Sequence, residues 1–421
     1  MQALVLGLGV TGEAVARQLL RRGDAVTVAD DGTGADVQAR AQALGLAVAD
    51  REEAVRAVAE VDVLLPSPGV PFAHPAIRAA LARGVPVWSE FELAAQWDSR
   101  PVVAVTGTNG KTTVTTLVTQ MLVEGGRKVV AAGNNELPLI DALELPGVEA
   151  FVVEASSFRL QFTESFRPAV AAWLNLSPDH LDWHPSLEHY IAAKARIWAA
   201  QGPDDVAVAN IEDPVVLEQA HRTQGRIVTF GLDHGDFSVV DGELRSSRHG
   251  CVVRVDELPR RLPHDLTNAL AASAAAVSFG VDPGCCAAVL RRFEGLPHRV
   301  RLVGDAGGVQ WYDDSKATTP ASVVVAVSGF DSVVLIAGGR NKGLDLSVLR
   351  PLASRLRGVV AIGEAAPAVD EAFAGAAPVS RAGSMEEAVA RAAAMARPGD
   401  AVVLSPGCAS HDWYANYGQR G

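Results

Sequence analysis

The residues Gly107-Thr108-Asn109-Gly110-Lys111-Thr112-Thr113 follow an apolar, β-branched run at 102–105 and lead into a stretch that can continue as a helix. A strand, a glycine turn and a helix start, in that order, aim successive backbone N–H groups at one point. The helix dipole adds partial positive charge there. Gly107 and Gly110 allow backbone angles that other residues resist. Lys111 is placed to reach the β- and γ-phosphates of a nucleoside triphosphate, and the Thr112 hydroxyl to ligate Mg²⁺. The glycines stand closer together than in the usual G-x-x-x-x-G-K loop. The bland alternative is an ordinary glycine turn with a solvated lysine. The strand before it and the threonine pair after it favour a triphosphate site.

Other chemistry-bearing clusters also sit at the ends of expected strands. Residues 3–6 lead into Gly7-Leu8-Gly9-Val10-Thr11-Gly12 and then a helix, and a second strand at 25–29 ends in Asp30 and Asp31. A phosphate-facing glycine turn followed by an acid opens the dinucleotide fold. Alone, it fits NAD, any diphosphate nucleotide, or merely a tight turn. A strand at 61–65 runs into Pro66-Ser67-Pro68-Gly69, and one at 128–133 ends at Asn134. A strand at 151–153 ends in Glu154-Ala155-Ser156-Ser157, and a carboxylate on a strand tip beside a phosphate loop is where a Mg²⁺-holding acid sits. The strand at 170–174 leads to Asn175, Asp179, His180 and Asp182. A capped helix start accounts for the two acids but less readily for His180. Lys194, on an expected helix at 188–200, reads by itself as a solvated lysine.

These clusters need a scaffold. With 421 residues the chain has room for about three domains. Apolar residues make up 48% and charged residues 20%, so each domain can bury a core. The net charge of −12 disfavours nucleic acid as a partner. No apolar run is long enough to span a membrane. The start reads as a glycine motif rather than a signal peptide. Cys251, Cys285, Cys286 and Cys408 show no CxxC spacing, so no disulfide framework or zinc site is expected and a reducing cytoplasm fits. A short strand at 84–88, a helix at 91–97, hairpin strands over 237–262 and a helix at 266–279 opening at Thr267-Asn268 complete the first two thirds. From Leu296-Pro297-His298-Arg299 the pattern restarts. Strands at 309–312, 333–336 and 401–404 end respectively in Asp313-Asp314-Ser315-Lys316-Ala317-Thr318, in Gly338 to Lys342, and in Ser405 to Ser410. The expectation is an α/β chain of three domains: a Rossmann-like domain at 1–91, a central P-loop ATPase-type domain at 92–295, and a Rossmann-like α/β domain at 296–421.

Two glycine turns in separate domains, plus a third domain with polar strand ends, suit an enzyme that couples ATP to joining two other molecules. Through GLGVTG, SPG, GTNGKTT, EASSF, SPDHLD, AAKARIW, LTNAL, LPHR, DDSKAT, GGRNKG, SPGCAS and NYGQRG, the whole chain resembles the Mur ligase family of peptidoglycan precursor synthesis. The resemblance implies a cytoplasmic, monomeric enzyme using ATP and two Mg²⁺ ions to join D-glutamate to UDP-N-acetylmuramoyl-L-alanine through an acyl phosphate. It implies that Val10, Thr11, Asp30, Ser67, Asn134 and Ser156 meet the uridine nucleotide substrate. Residues Gly107 to Thr113, Asn268, Arg299 and Asp314 would meet ATP, and Thr112, Glu154, His180 and a carbamylated Lys194 would hold metal. Lys111, His180 and Lys194 would be catalytic, while Thr318, Lys342, Ser410 and Tyr417 would bind D-glutamate.

The chain departs from the family where GNIGLP becomes GNNELP, with Asn135 and Glu136, and where SSFQL becomes SSFRL, with Arg159. The opposite charges of Glu136 and Arg159 suggest a compensating pair. A folylpolyglutamate synthase would lack the first glycine domain, and a diamino-acid-adding sister would carry a DNPR motif, which is absent. A nucleotide-sensing switch without ligation would not need Lys194, His180 and the third-domain donors together.

Overall fold

The computed structural model describes residues 1–32, 34–134 and 137–421. The chain divides into two compact units, one of Met1–Glu257 with Thr267–Arg291 and one of Leu258–Leu266 with Arg292–Gly421.

The first unit holds two sheets. Strands β1 (Gln2–Leu6), β2 (Ala25–Ala29), β3 (Val48–Ala49) and β4 (Val63–Pro66) form a parallel sheet in the order β3-β2-β1-β4. The second sheet contains β5 (Val102–Thr106), β6 (Val129–Gly133), β7 (Ala150–Glu154), β8 (Val170–Trp173), β9 (Val206–Asn210), β10 (Arg226–Phe230), β11 (Phe237–Val240), β12 (Glu243–Ser246) and β13 (Gly250–Arg254). Its order is β13-β12-β11-β10-β9-β8-β5-β7-β6, parallel from β6 to β11 and closing in the antiparallel meander β11-β12-β13. β5 and its neighbours β7 and β8 are almost wholly buried, as strands covered on both faces must be. Their C-terminal ends therefore share one edge, and the polar clusters read from the sequence lie along it. The two sheets are tied together within the unit. Arg17, on the helix Val10–Arg21, pairs with Asp141 at 2.6 Å, and Gln18 donates to the same carboxylate at 2.9 Å.

The second unit is built on β14 (Arg301–Ala306), β15 (Val309–Asp313), β16 (Val333–Gly338), β17 (Leu356–Ile362), β18 (Val379–Arg381) and β19 (Ala401–Gly407). The order is β14-β15-β19-β16-β17-β18, and only the β14–β15 pair is antiparallel. Three α/β sheets are thus present, as the sequence pattern leads one to expect.

Two local expectations fail. Residues 84–88 make an isolated bridge between Val87 and Leu64 rather than a strand. Pro86 has no N–H to give, so the segment contributes only the Pro86 carbonyl and the Trp88 N–H, both to Leu64. The hairpin strands end at Arg254 and a short 3₁₀ turn follows at Val255–Glu257, ahead of Pro259 and Pro263. β9 and β10, not singled out in the sequence, are five-residue apolar strands extending the central sheet. Among the described residues no helix is long and apolar enough to cross a membrane.

Candidate active site

β5 ends at Thr106, and the chain then passes through Gly107 at φ 155° and Gly110 at φ 85° into the helix Lys111–Glu124. No side chain caps that helix, and an uncapped N-terminus reached through a glycine turn is a ready anion site. The turn is braced from outside. Asn175, just past β8, accepts from the Thr108 N–H at 3.1 Å and the Asn109 N–H at 2.9 Å, and donates to the Asn109 carbonyl at 3.2 Å. Thr108 Oγ1 accepts from the Ser177 N–H at 2.9 Å and lies 3.2 Å from the Tyr190 hydroxyl. Lys111 Nζ donates to the Gly107 and Thr108 carbonyls, both at 2.9 Å. Asn268 is brought to the same turn, because a Cβ on Gly110 would stand 2.6 Å from its side-chain oxygen.

Lys194 is not a solvated helical lysine. On the helix Leu187–Ala199 it is 1% exposed, with Nζ donating to the Gly107 carbonyl at 2.8 Å and standing 4.7 Å from the centre of the Tyr190 ring. Loss of hydration drives its pKa well below the usual lysine value, and the Lys111 charge adds to the shift. Burial and the neighbouring Lys111 charge thus both favour the neutral amine over the ammonium.

His180 sits nearby in the left-handed region at φ 54°, which a non-glycine residue adopts at a cost of about 1–3 kcal/mol. Its ring lies 4.7 Å from Phe158 and 6.4 Å from Tyr190, with Asp179 at 3.4 Å. Lost hydration lowers its pKa, Asp179 opposes this, and Lys111 and Lys194 reinforce it. Glu154 caps β7, buried. One carboxylate oxygen accepts from Asn134 Nδ2 at 3.0 Å, and the other has no hydrogen-bond partner. Among the described residues no three His, Cys, Asp or Glu side chains gather as a metal cluster.

A trio centred on the buried His184 went unread in the sequence. His184 stands 2.9 Å from both Ser157 Oγ and His189 Nδ1, and loss of hydration pushes its pKa down to about 3. Its signal was only its place in the polar run after β8. Ser156 caps the short helix Ser157–Leu160 by accepting from the Arg159 N–H.

The first glycine turn borders a cavity of about 450 Å³ lined by Val10, Thr11, Asp30, Ser67, Asn134 and Arg159 among others. Five residues expected to meet the nucleotide substrate are thus together. Two of them also hold the turn itself: Asp30 accepts from the Leu8 N–H at 2.6 Å and the Gly32 N–H at 2.7 Å, and Ser67 Oγ donates to the Gly7 carbonyl at 2.6 Å. Asn135 and Glu136 lie outside the described residues, and so does the suggested pair of Glu136 with Arg159. Arg159 does pair with the buried Glu90 at 2.7 Å.

In the second unit, Thr318, Lys342 and Ser410 lie beyond the C-terminal ends of β15, β16 and β19, which are neighbours in the sheet. Arg340 and Ala409 exchange both backbone hydrogen bonds, and Gly407 N–H donates to the Ala317 carbonyl at 2.8 Å, so the three loops converge. Ser410 is buried and Lys342 exposed. Tyr417 starts the short helix Tyr417–Arg420; its carbonyl accepts from Ser315 Oγ at 2.8 Å and its ring faces Lys316 Nζ at 5.0 Å. Arg420, not singled out in the sequence, is buried and donates to Ser315 Oγ, the Ser315 carbonyl and the Cys408 carbonyl. Asp314 accepts from Ser405 Oγ at 2.7 Å and the Val300 N–H at 3.2 Å. Arg299 belongs to this unit and contributes attraction to the Asp314 carboxylate.

Three family models match the chain: a "Mur ligase MurD-like, N-terminal domain" over residues 1–89, a "Mur ligase middle domain" over 105–276, and a "Mur ligase, glutamate ligase domain" over 298–408. A protein of Frankia casuarinae named UDP-N-acetylmuramoylalanine--D-glutamate ligase is 42% identical, the alignment covering 100% of this chain and 92% of that protein. Its namesake in Pelotomaculum thermopropionicum is 39% identical over 100% of this chain and 95% of its own length. Among solved structures, a pseudomurein peptide ligase type C from Methanothermus fervidus superposes with a TM-score of 0.62 at 17% identity, covering 96% of this chain and 97% of that one. That likeness is one of fold.

Burial pushes the Asp314 carboxyl up to about 7 against the pull of Ser405, Val300 and Arg299. The folded chain therefore keeps a proton that the unfolded chain, with an ordinary aspartate near 3.9, releases. Between about pH 4 and pH 7 the folded state binds more protons, so this group's contribution to stability falls as pH rises and levels off above 7. Over about three units the change is roughly 4 kcal/mol. Denaturant unfolding of Asp314→Asn from pH 4 to pH 8 is expected to lack that slope. A variant with the wild-type pH profile would show that Asp314 titrates normally.

Proposed function

The chain belongs to the Mur ligase family, and from that premise we propose that it joins D-glutamate to UDP-N-acetylmuramoyl-L-alanine in an ATP-dependent reaction, releasing ADP and phosphate. On this reading it is a monomeric cytoplasmic enzyme of peptidoglycan precursor synthesis. Residues 1–91 take the uridine nucleotide, 92–295 take ATP, and 296–421 take the amino acid. The observation that carries it is the buried Lys194 amine 2.8 Å from the backbone of the glycine turn. A nucleotide-sensing loop alone has no use for a lysine side chain so far from water.

A carboxylate and an amine do not condense in neutral water. The acid is first converted to an acyl phosphate, whose formation depends on positioning and positive charge around the moving oxygens. Lys111 leaves the carbonyls of its own turn for the phosphates. Asn268 stands beside the turn, and Arg299 and Asp314 are read as further nucleotide contacts. The Lys194 amine attacks the carbon of CO₂, forming an N–C bond as one C=O π bond opens onto oxygen, and gives up a proton to water, leaving a carbamate. That step needs a neutral amine, which its lowered pKa favours. Glu154, whose second carboxylate oxygen has no hydrogen-bond partner, would hold Mg²⁺ together with Thr112, His180 and the Lys194 carbamate, a hard, mainly oxygen set. Mg²⁺ ions held there, two by this reading, would supply positive charge to the phosphates during phosphoryl transfer. The incoming amine must be neutral to attack.

An ADP-release assay across a panel of UDP-muramoyl substrates and amino acids tests the whole reading. Release is expected only with UDP-N-acetylmuramoyl-L-alanine and D-glutamate together. Release without an acceptor amino acid, or a preference for L-glutamate or a diamino acid, would sink it.

Lys194→Ala is expected to lose most activity while remaining folded by circular dichroism, and an added short carboxylic acid should restore part of it by filling the carbamate's place. Wild-type turnover in the variant would remove Lys194 from the mechanism.

Lys342→Ala removes a charge-assisted contact to a substrate carboxylate, about 1.5–3 kcal/mol or roughly tenfold or more in apparent affinity. The Michaelis constant for D-glutamate should rise while those for ATP and the UDP-substrate hold. An unchanged D-glutamate constant would move the amino-acid pocket elsewhere.

A further inference from the structure

Arg159 is a buried cation in the wall of the nucleotide cavity. It is the one Lys or Arg lining that cavity among the described residues, and its side chain is 6% exposed. Its three nitrogens are held by three different elements. Nε stands 2.7 Å from Glu90, whose side chain is fully buried. Nη1 donates to Asn134 Oδ1 at 3.0 Å, and Nη2 donates to Thr11 Oγ1 at 3.0 Å. Thr11 is in the first turn of the helix Val10–Arg21, which no side chain caps. The guanidinium, paired with Glu90 through Nε, sets its two Nη groups beside the partial positive charge of that helix end. Each Nη has a further N–H beyond the contacts given, on the fork edge that suits bidentate contact with phosphate oxygens. The two acids of the lining are already engaged: Asp30 by backbone N–H groups, and Asp31 by Arg51 and His74. They leave Arg159 and the helix end to set the local potential.

We propose that Arg159 receives the diphosphate of the uridine nucleotide substrate, fixing it against the first turn of Val10–Arg21. The proposal rests on the reading that this cavity takes a uridine nucleotide. The same geometry gives Arg159 a positioning role. Its Asn134 partner also donates to Glu154, so the anion and the strand-tip acid are held in one hydrogen-bonded line: Thr11, Arg159, Asn134, Glu154.

The test is calorimetry on the full chain with UDP, uridine and UDP-N-acetylmuramoyl-L-alanine. Arg159→Gln leaves Glu90 buried without its partner and is open to misfolding, so Glu90→Gln with Arg159→Gln is made beside it to remove both charges. Both proteins are expected to bind UDP roughly tenfold or more weakly than wild type and to bind uridine as wild type does, with Arg159→Lys in between. Unchanged UDP affinity in the folded double variant would overturn the proposal. So would equal weakening of UDP and uridine, since Arg159 would then merely shape the cavity. Weakening confined to the muramoyl substrate would also overturn it, by placing Arg159 on that substrate's carboxylate. Failure of wild type to bind either UDP or the muramoyl substrate is a different result, and would sink the uridine-nucleotide reading itself.

Discussion

Withdrawing the Lys194 ammonium from water is the constraint around which the central site is arranged. An unpaired buried charge costs several kcal/mol, and no carboxylate pairs with Lys194 in the contacts described. What meets it is the Gly107 carbonyl, the face of Tyr190 and, more distantly, Thr106 Oγ1. Those partners accept the N–H groups of Lys194 but none carries a neutralising charge, and the lost hydration, with the Lys111 charge, shifts its pKa downward. The same contacts tie the helix Leu187–Ala199 to the tip of β5. Tyr190, one turn before Lys194, reaches Thr108 in the glycine turn. The turn is thus held from below by a helix whose own position is set by packing, and from the side by Asn175. A glycine turn is flexible by composition, so an array of aimed N–H groups exists only because these partners remove its freedom.

The two glycine turns of the first unit solve one problem in different ways. At Gly7–Gly12 the close approach is between backbone and backbone: a Cβ on Gly12 would lie 1.9 Å from the Gly7 carbonyl oxygen. The turn is fastened by a carboxylate from the next strand and a hydroxyl from the strand after β1 in the sheet order, Asp30 and Ser67. At Gly107–Lys111 the fastening comes from uncharged amide and hydroxyl groups, and the charges present are cationic. A fastening carboxylate inside a triphosphate turn would repel what the turn holds. At the first turn the carboxylate is tolerable because its oxygens are already occupied by N–H groups.

Legibility followed periodicity and punctuation. The buried parallel strands and the residues that end them were readable because an apolar run stopped by Gly, Pro or a polar cluster has few other meanings, and β5, β7, β8, β16 and β19 fall where those runs lie. The edge segment at 84–88 was misread because residue type alone does not count available N–H groups, and Pro86 removes one. Lys194 carried no signal of its own: a lysine spaced along a helix looks solvated until its contacts with the Gly107 carbonyl and the Tyr190 ring are known. His184 and Arg420 were missed for the same reason. Each is a polar residue satisfied by partners far away in sequence, Ser157 for one and Cys408 and Ser315 for the other, and local pattern holds no record of such pairings. Arg159 stood out only as a departure from the family pattern. Its partner in the structure, Glu90, lies on a helix whose sequence gives no hint of it.

A chain of net charge −12 that handles anionic nucleotides looks self-defeating until distance is considered. At physiological ionic strength, charges on the exposed surface are screened over about 8 Å, so the acidic exterior exerts little force on a ligand already inside a cavity. There the field is set by a few groups removed from solvent, where the effective dielectric is lower and each charge acts more strongly. In the first unit those groups are Lys111 and Arg159, with two helix N-termini that no side chain caps. The cations are spent where anions must be held still, and the surface is left acidic, which keeps the chain away from long polyanions such as nucleic acid. Selectivity for small anions over large ones then follows from the depth at which the positive charge sits.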